Sequence, residues 1–178
     1  MEFRPQHIAD CHVVALEPII DHRGFLARAF SGAEFAEAGL EPAISQINLS
    51  RSERPGTTRG IHWQAAPHVE AKLVRCIRGR AFGVCVDVRP GSATWGTWVG
   101  IELTPDNHLA LYVPPGCGHA YQTLDPATEV LYSTSAPYVP KAERGARWDD
   151  PRFNIEWPLR KDLILSEKDR SWPDIETV

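Results

Sequence analysis

Proline and glycine decide what this chain can become. Fifteen prolines and thirteen glycines are spread over its 178 residues, which excludes a bundle of long helices. Between these breaks lie short runs rich in apolar and β-branched residues, the pattern of an antiparallel β barrel or sandwich. The clearest run is residues 81–88. There Phe82, Val84, Val86 and Val88 alternate with Ala81, Gly83, Cys85 and Asp87, giving a strand one large apolar face and one small or polar face. The first suits a core and the second a cavity wall. The turn Arg78-Gly79-Arg80 predicts a hairpin between residues 72–77 and 81–88, and residues 104–108 predict another between 97–103 and 109–113. Further strands are expected at residues 12–19, with Pro18 marking an edge or a break, at 59–64 after a polar loop, and at 128–135. Helix is expected only at residues 31–38, between the cap Ser31 and the stop Gly39, and in a short turn begun by Ser166-Glu167-Lys168-Asp169.

Composition narrows the partners. With 43% hydrophobic residues the chain can bury a core, and its length fits one domain over residues 1–178. The net charge of −4, with acids and bases mixed, argues against nucleic acid as a partner. No apolar run is long enough to span a membrane, and the first residues lack the basic-then-apolar order of a signal peptide. None of Cys11, Cys76, Cys85 and Cys117 forms a Cys-x-x-Cys pair, so reduced thiols and a cytoplasmic location are expected.

Four side chains carry the chemistry: His62 in Arg59-Gly60-Ile61-His62-Trp63-Gln64, Lys72 in Glu70-Ala71-Lys72-Leu73, His119 in Pro115-Gly116-Cys117-Gly118-His119, and Tyr132 in Glu129-Val130-Leu131-Tyr132. A base, a cation and a phenol on strand-like segments suit removal of a proton next to a carbonyl, followed by its return. His62 suits the base, since a free imidazole titrates at about pH 6.5. Lys72 suits stabilisation of an enolate oxygen, and Tyr132 suits the acid. Each has a plainer reading: a bonded core histidine, a solvated strand-end charge and a cross-strand aromatic. Asp169 has one too, because it is the third helical residue of a capping box.

These segments, in their order and spacing, resemble the dTDP-4-dehydrorhamnose 3,5-epimerase family. The resemblance also runs through Asp21-His22-Arg23-Gly24-Phe25, Gln46-Ile47-Asn48-Leu49-Ser50, Tyr112-Val113-Pro114-Pro115-Gly116 and Leu165-Ser166-Glu167-Lys168-Asp169. It implies an all-β, cupin-like antiparallel jelly roll with a few short helices. It also implies epimerisation at C3 and C5 of a nucleotide-linked, dTDP-type 4-keto-6-deoxyhexose through an enolate, without cofactor. By the same resemblance His62 is the base oriented by Asp169, Lys72 and Tyr132 complete the catalytic set, and Arg59, Arg23, Gln46 and Asn48 bind the diphosphate and nucleotide. His119 lines the cavity, and Tyr138 stacks near the nucleobase or sugar. Arg23 and Phe25 reach the neighbouring site of a homodimer.

Some alternatives remain open on these residues. An epimerase acting only at C3 or only at C5 needs the same His62 and Tyr132. A non-catalytic nucleotide-sugar-binding cupin keeps the pocket without the proton transfer. A ketoisomerase or a metal-dependent dioxygenase shares the cupin expectation. Metal-binding cupins use His-x-His, whereas this chain has His62-Trp63-Gln64, leaving His62 and His119 with Glu70 as the only further ligand on offer. No metal is therefore expected. The chain also departs from the family pattern at Trp63, Arg28 and Gly118-His119-Ala120-Tyr121, which bears on the base and sugar accepted.

Overall fold

The short runs fold into thirteen strands in the computed structural model, which describes residues 1–175. In chain order they are β1 (Glu2–Pro5), β2 (His12–Ala15), β3 (Ile19–Asp21), β4 (Gly24–Leu26), β5 (Gln46–Ser52), β6 (Thr58–Gln64) and β7 (Lys72–Arg78). They continue with β8 (Ala81–Val86), β9 (Trp98–Leu103), β10 (Leu109–Val113), β11 (Gly118–Thr123), β12 (Thr128–Thr134) and β13 (Glu143–Gly145). Two short helices accompany them, α1 (Gly32–Glu37) and α2 (Glu167–Ser171). Ser31 caps α1 by accepting from the Glu34 amide, as its spacing predicts.

The strands form a six-stranded antiparallel sheet ordered β1-β2-β10-β7-β12-β5 and a five-stranded one ordered β13-β6-β11-β8-β9. A small hairpin, β3–β4, stands apart from both. The expected all-β, cupin-like jelly roll is the observed architecture. Pro18 separates β2 from β3, so the expected strand at 12–19 is broken there.

Both predicted hairpins are wrong in their pairing. β7 lies in the six-stranded sheet between β10 and β12, while β8 lies in the other sheet between β11 and β9. The turn at Gly79 carries the chain through the thickness of the sandwich rather than sideways within one sheet. Gly79 has φ +71°, and a Cβ there would sit 2.6 Å from Thr128 Oγ1, so the crossing is closed tightly against the start of β12. Residues 104–108 likewise connect β9 in one sheet to β10 in the other. A turn sequence reports a reversal of direction, but the choice of sheet depends on which faces must be buried.

β8 shows that demand. Ala81 and Cys85, from its small face, join Val74, Leu111 and Val130 in the core between the sheets. Val84 and Val86, from its large face, pack under Phe153, Ile155 and Trp157 of the C-terminal segment. Both faces are buried, and β8 contributes nothing to the cavity wall its small face suggested. Burying side chains of this size stabilises a fold by about 1.5–3 kcal/mol each.

Candidate active site

Strand register builds the site. On the inner face of the six-stranded sheet, Gln46, Thr134 and Lys72 form one row across β5, β12 and β7. Asn48 and Tyr132 form the next row. In the facing sheet, His62 of β6 pairs with His119 of β11, and Arg59 pairs with Tyr121. All of these residues line one cavity of about 500 Å³. Tyr138, Glu143, Lys168 and Asp169 close another side. The structure thus brings together nine of the eleven side chains named from the sequence: His62, Lys72, Tyr132, Asp169, Gln46, Asn48, Arg59, His119 and Tyr138.

Arg23 and Phe25 lie elsewhere. They sit on the β3–β4 hairpin, where Arg23 pairs with Asp21 and the Phe25 ring lies 4.8 Å from that of His108. Neither lines the cavity of its own chain. Arg28 is also outside it, paired with Glu34 at 2.7 Å, whereas Trp63 is on the wall.

Asp169 resolves its two readings by serving both. Its backbone amide donates to the Ser166 hydroxyl, which caps α2. Its carboxylate meets His62 Nε2 at 2.5 Å and accepts from Ser166 Oγ at 2.8 Å. The carboxyl is buried, which alone would raise its pKa, but the His62 imidazole and the Ser166 hydroxyl hold it below the usual value. With Nε2–H donated to a carboxylate, the other ring nitrogen carries the lone pair that accepts a proton. The Trp172 ring lies 6.2 Å from His62, edge-on.

Lys72 is not a solvated strand-end charge. It is buried, pairs with Glu70 Oε1 at 3.0 Å and donates to the His62 carbonyl at 3.3 Å. Burial pushes the Tyr132 phenol up, and the Glu70 charge adds to this while Arg59 opposes it, so the phenol stays protonated at neutral pH. His119 is only 7% exposed, and its Nε2 has no bonding partner among the described residues. Burial first, then Lys72 and His62, hold its pKa well below the ordinary value, so it is neutral. Arg59 forms no ion pair with any described residue, although it is exposed at the cavity mouth.

Glu143, Lys168 and the role of Gln64 escaped the sequence reading, as did the contact that holds Gln46. Glu143 accepts from the Tyr138 hydroxyl at 2.8 Å and from Lys168 at 2.5 Å. Gln64 and Gln46 each accept from a backbone amide, of Val139 and Tyr138 respectively, both at 2.6 Å. Glu70, which the sequence offers only as a metal ligand, is committed to Lys72 and Gln64. Among the described residues no three His, Cys, Asp or Glu side chains are arranged to hold a metal ion. The available signal was period two: Gln64 and Glu70 follow and precede His62 and Lys72 by two residues, which places them on the same strand face or its continuation.

The sequence profile of dTDP-4-dehydrorhamnose 3,5-epimerase matches residues 5–177. The chain belongs to the dTDP-4-dehydrorhamnose 3,5-epimerase family. It is 40% identical over 175 residues to the dTDP-4-dehydrorhamnose 3,5-epimerase of Sinorhizobium fredii, covering 98% of this chain and 90% of that protein. The crystal structure of the Bacillus anthracis epimerase with TDP and PPi bound superposes with a TM-score of 0.93 at 33% identity, covering 98% of this chain and 99% of that one. The Legionella pneumophila enzyme in complex with dTDP-4-keto-L-rhamnose gives 0.90 at 31% identity, covering 96% and 90%. As a member of this family the chain is an isomerase of the sugar-epimerase type.

Proposed function

We propose that the protein inverts C3 and C5 of a dTDP-linked 4-keto-6-deoxyhexose, one centre after the other. The observation that carries this reading is the placement of the two proton-transfer groups. His62, with its buried carboxylate, comes from one sheet, and Tyr132 comes from the other, with one cavity between them. Inversion requires a base on one face of the sugar and an acid on the opposite face.

The steps follow from these positions. His62 takes the proton from the carbon beside the C4 carbonyl, and the imidazolium is stabilised by Asp169. The electron pair moves onto the carbonyl oxygen as an enolate, which the Lys72 ammonium and the neutral His119 imidazole stabilise. Tyr132 donates its proton to the other face of the carbon; the phenolate then takes a proton from solvent and the His62 imidazolium releases one to it, resetting both groups for the second carbon. Arg59, with Gln46 and Asn48, binds the diphosphate and nucleotide, since a guanidinium fork matches phosphate oxygens. Tyr138, anchored by Glu143, offers a half-exposed ring at the mouth for the nucleobase.

The proposal includes a homodimer of this single domain in a reducing cytoplasm. The β3–β4 hairpin projects Ile20, 78% exposed, and Leu26, 73% exposed, and β5 turns Ile47 and Leu49 outward. Such a surface suits burial against a second copy, with Arg23 and Phe25 reaching the neighbouring cavity. Sedimentation at micromolar concentration tests it, and a monomer there refutes it. All four cysteines are buried and unpaired, in keeping with a reducing compartment.

Mass spectrometry of dTDP-4-keto-6-deoxyglucose incubated with the protein in heavy water tests the reaction. Two deuteriums are expected, with inversion at both carbons by NMR. A single deuterium would make the protein a one-centre epimerase, and none would refute the reading.

A further inference from the structure

Lys72 is held by more than its own backbone. An ammonium has three donors, and two of them are committed here, one to Glu70 Oε1 at 3.0 Å and one to the His62 carbonyl at 3.3 Å. The third is left for the cavity that Lys72 lines. Glu70 is itself fixed: its other oxygen accepts from Gln64 Nε2 at 2.9 Å, and the carboxylate is 8% exposed. Gln64 in turn bonds the His68 and Pro137 carbonyls and the Val139 amide, so its amide is saturated. The chain of contacts therefore runs from the segment carrying Tyr138, through Gln64 and Glu70, to the Lys72 ammonium.

A buried carboxylate beside a buried ammonium is costly unless both are bonded, and the nucleotide-binding and proton-transfer roles above assign Glu70 nothing. We infer that Glu70 is a positioning residue, which aims the Lys72 ammonium at the reacting oxygen. The inference rests on the proton-transfer reading of this cavity. The Glu70 charge also bears on Tyr132. Tyr132 is faced by Arg59 and His62 of β6, Glu70 and Lys72 at β7, His119 and Tyr121 of β11, and across the mouth by Glu143, Lys168 and Asp169. The cations in this set favour the phenolate, and a phenolate beside Lys72 would leave no proton to deliver. Burial first, and the Glu70 charge after it, oppose that ionisation, so the phenol keeps its proton beside Lys72.

Glu70→Gln removes the charge with little change of shape, and its single amide oxygen can serve Lys72 or Gln64 Nε2 but not both. The expected result is a fall in kcat on the order of tenfold with KM changed less than about twofold, and a basic limb of the kcat profile that moves to lower pH. Glu70→Asp retains the charge at shorter reach. It is expected to lose kcat while its basic limb stays at the wild-type pH, and it serves also if Glu70→Gln does not fold. An unchanged kcat, or an unmoved basic limb in Glu70→Gln, overturns the inference, as does a moved limb in Glu70→Asp. Deuterium wash-in by the wild-type protein is measured alongside. Its absence would refute the proton-transfer reading itself, whereas normal wild-type exchange with an indifferent Glu70 refutes only the positioning role.

Discussion

Asp169→Asn isolates the dyad. The carboxylate meets His62 Nε2 at 2.5 Å and is also bonded to Ser166 Oγ. Its loss acts on the transition state in two ways. A hydrogen bond to a charged partner contributes about 1.5–3 kcal/mol, so losing it from the imidazolium slows proton abstraction roughly 10- to 150-fold. An asparagine also offers Nε2 an N–H donor, which favours the tautomer whose proton sits on the other nitrogen, where the base needs its lone pair. The two effects combine to an expected loss in wash-in rate on the order of 100-fold or more. Binding should hardly change, because the Ser166 hydroxyl still caps α2 through the backbone amide of residue 169. The assay pairs initial deuterium uptake from heavy water with calorimetric titration of dTDP. An Asp169→Asn protein that exchanges within about threefold of wild type, while binding dTDP normally, would refute the dyad and return Asp169 to helix capping alone.

Other perturbations separate the remaining roles. His62→Asn is expected to abolish exchange while leaving dTDP affinity unchanged by calorimetry; retained exchange would remove His62 as the base. Tyr132→Phe should slow net inversion, followed by NMR, more than the first proton loss, followed by deuterium uptake, and equal slowing of both would refute its role as the acid. Lys72→Met should lower kcat more than it raises KM, and it strands Glu70 as a buried unpaired charge, costing about 3 kcal/mol in denaturant unfolding. Asp87 is wholly buried, yet bonds from Arg89, Ser92 and Thr94 hold its carboxyl far below the ordinary range. Its folded pKa is depressed, so its contribution is complete above the unfolded value of about 3.9 and is lost as pH falls towards the folded one. Thermal melts of wild type should therefore fall more steeply between about pH 4 and 2 than those of Asp87→Asn, and parallel melts would refute the linkage.

Local signals told truly where the chain changes direction, and most of the polar residues they singled out line one cavity. Ser31 and Ser166 cap their helices, Pro18 breaks its strand, and the segments around His62, Lys72 and Tyr132 are strands. Pairing was not legible, because the turns at Gly79 and at residues 104–108 look like hairpin turns yet carry the chain between sheets. The environment of Lys72 was hidden for a related reason. Nothing in Glu70-Ala71-Lys72 says that both charges are buried, since that depends on Gln64 from β6 and on the 137–139 segment folding over them.

The same crossings that defeated the hairpin reading explain why the site exists. From β5 to β13 the chain changes sheet at every connection except β8 to β9. β6 and β7, adjacent in sequence, therefore face each other across the sandwich, as do β11 and β12. His62 and Lys72 are ten residues apart in sequence, yet they come from opposite walls and meet at the cavity. His119 and Tyr132 repeat the arrangement from the second pair of strands. A flat hairpin would have set His62, Lys72 and Tyr132 on one surface, where a proton taken from a carbon could be returned only to the side it left. Crossing the sandwich twice sets His62 against Tyr132 with the cavity between them, and the proposed inversion requires that geometry.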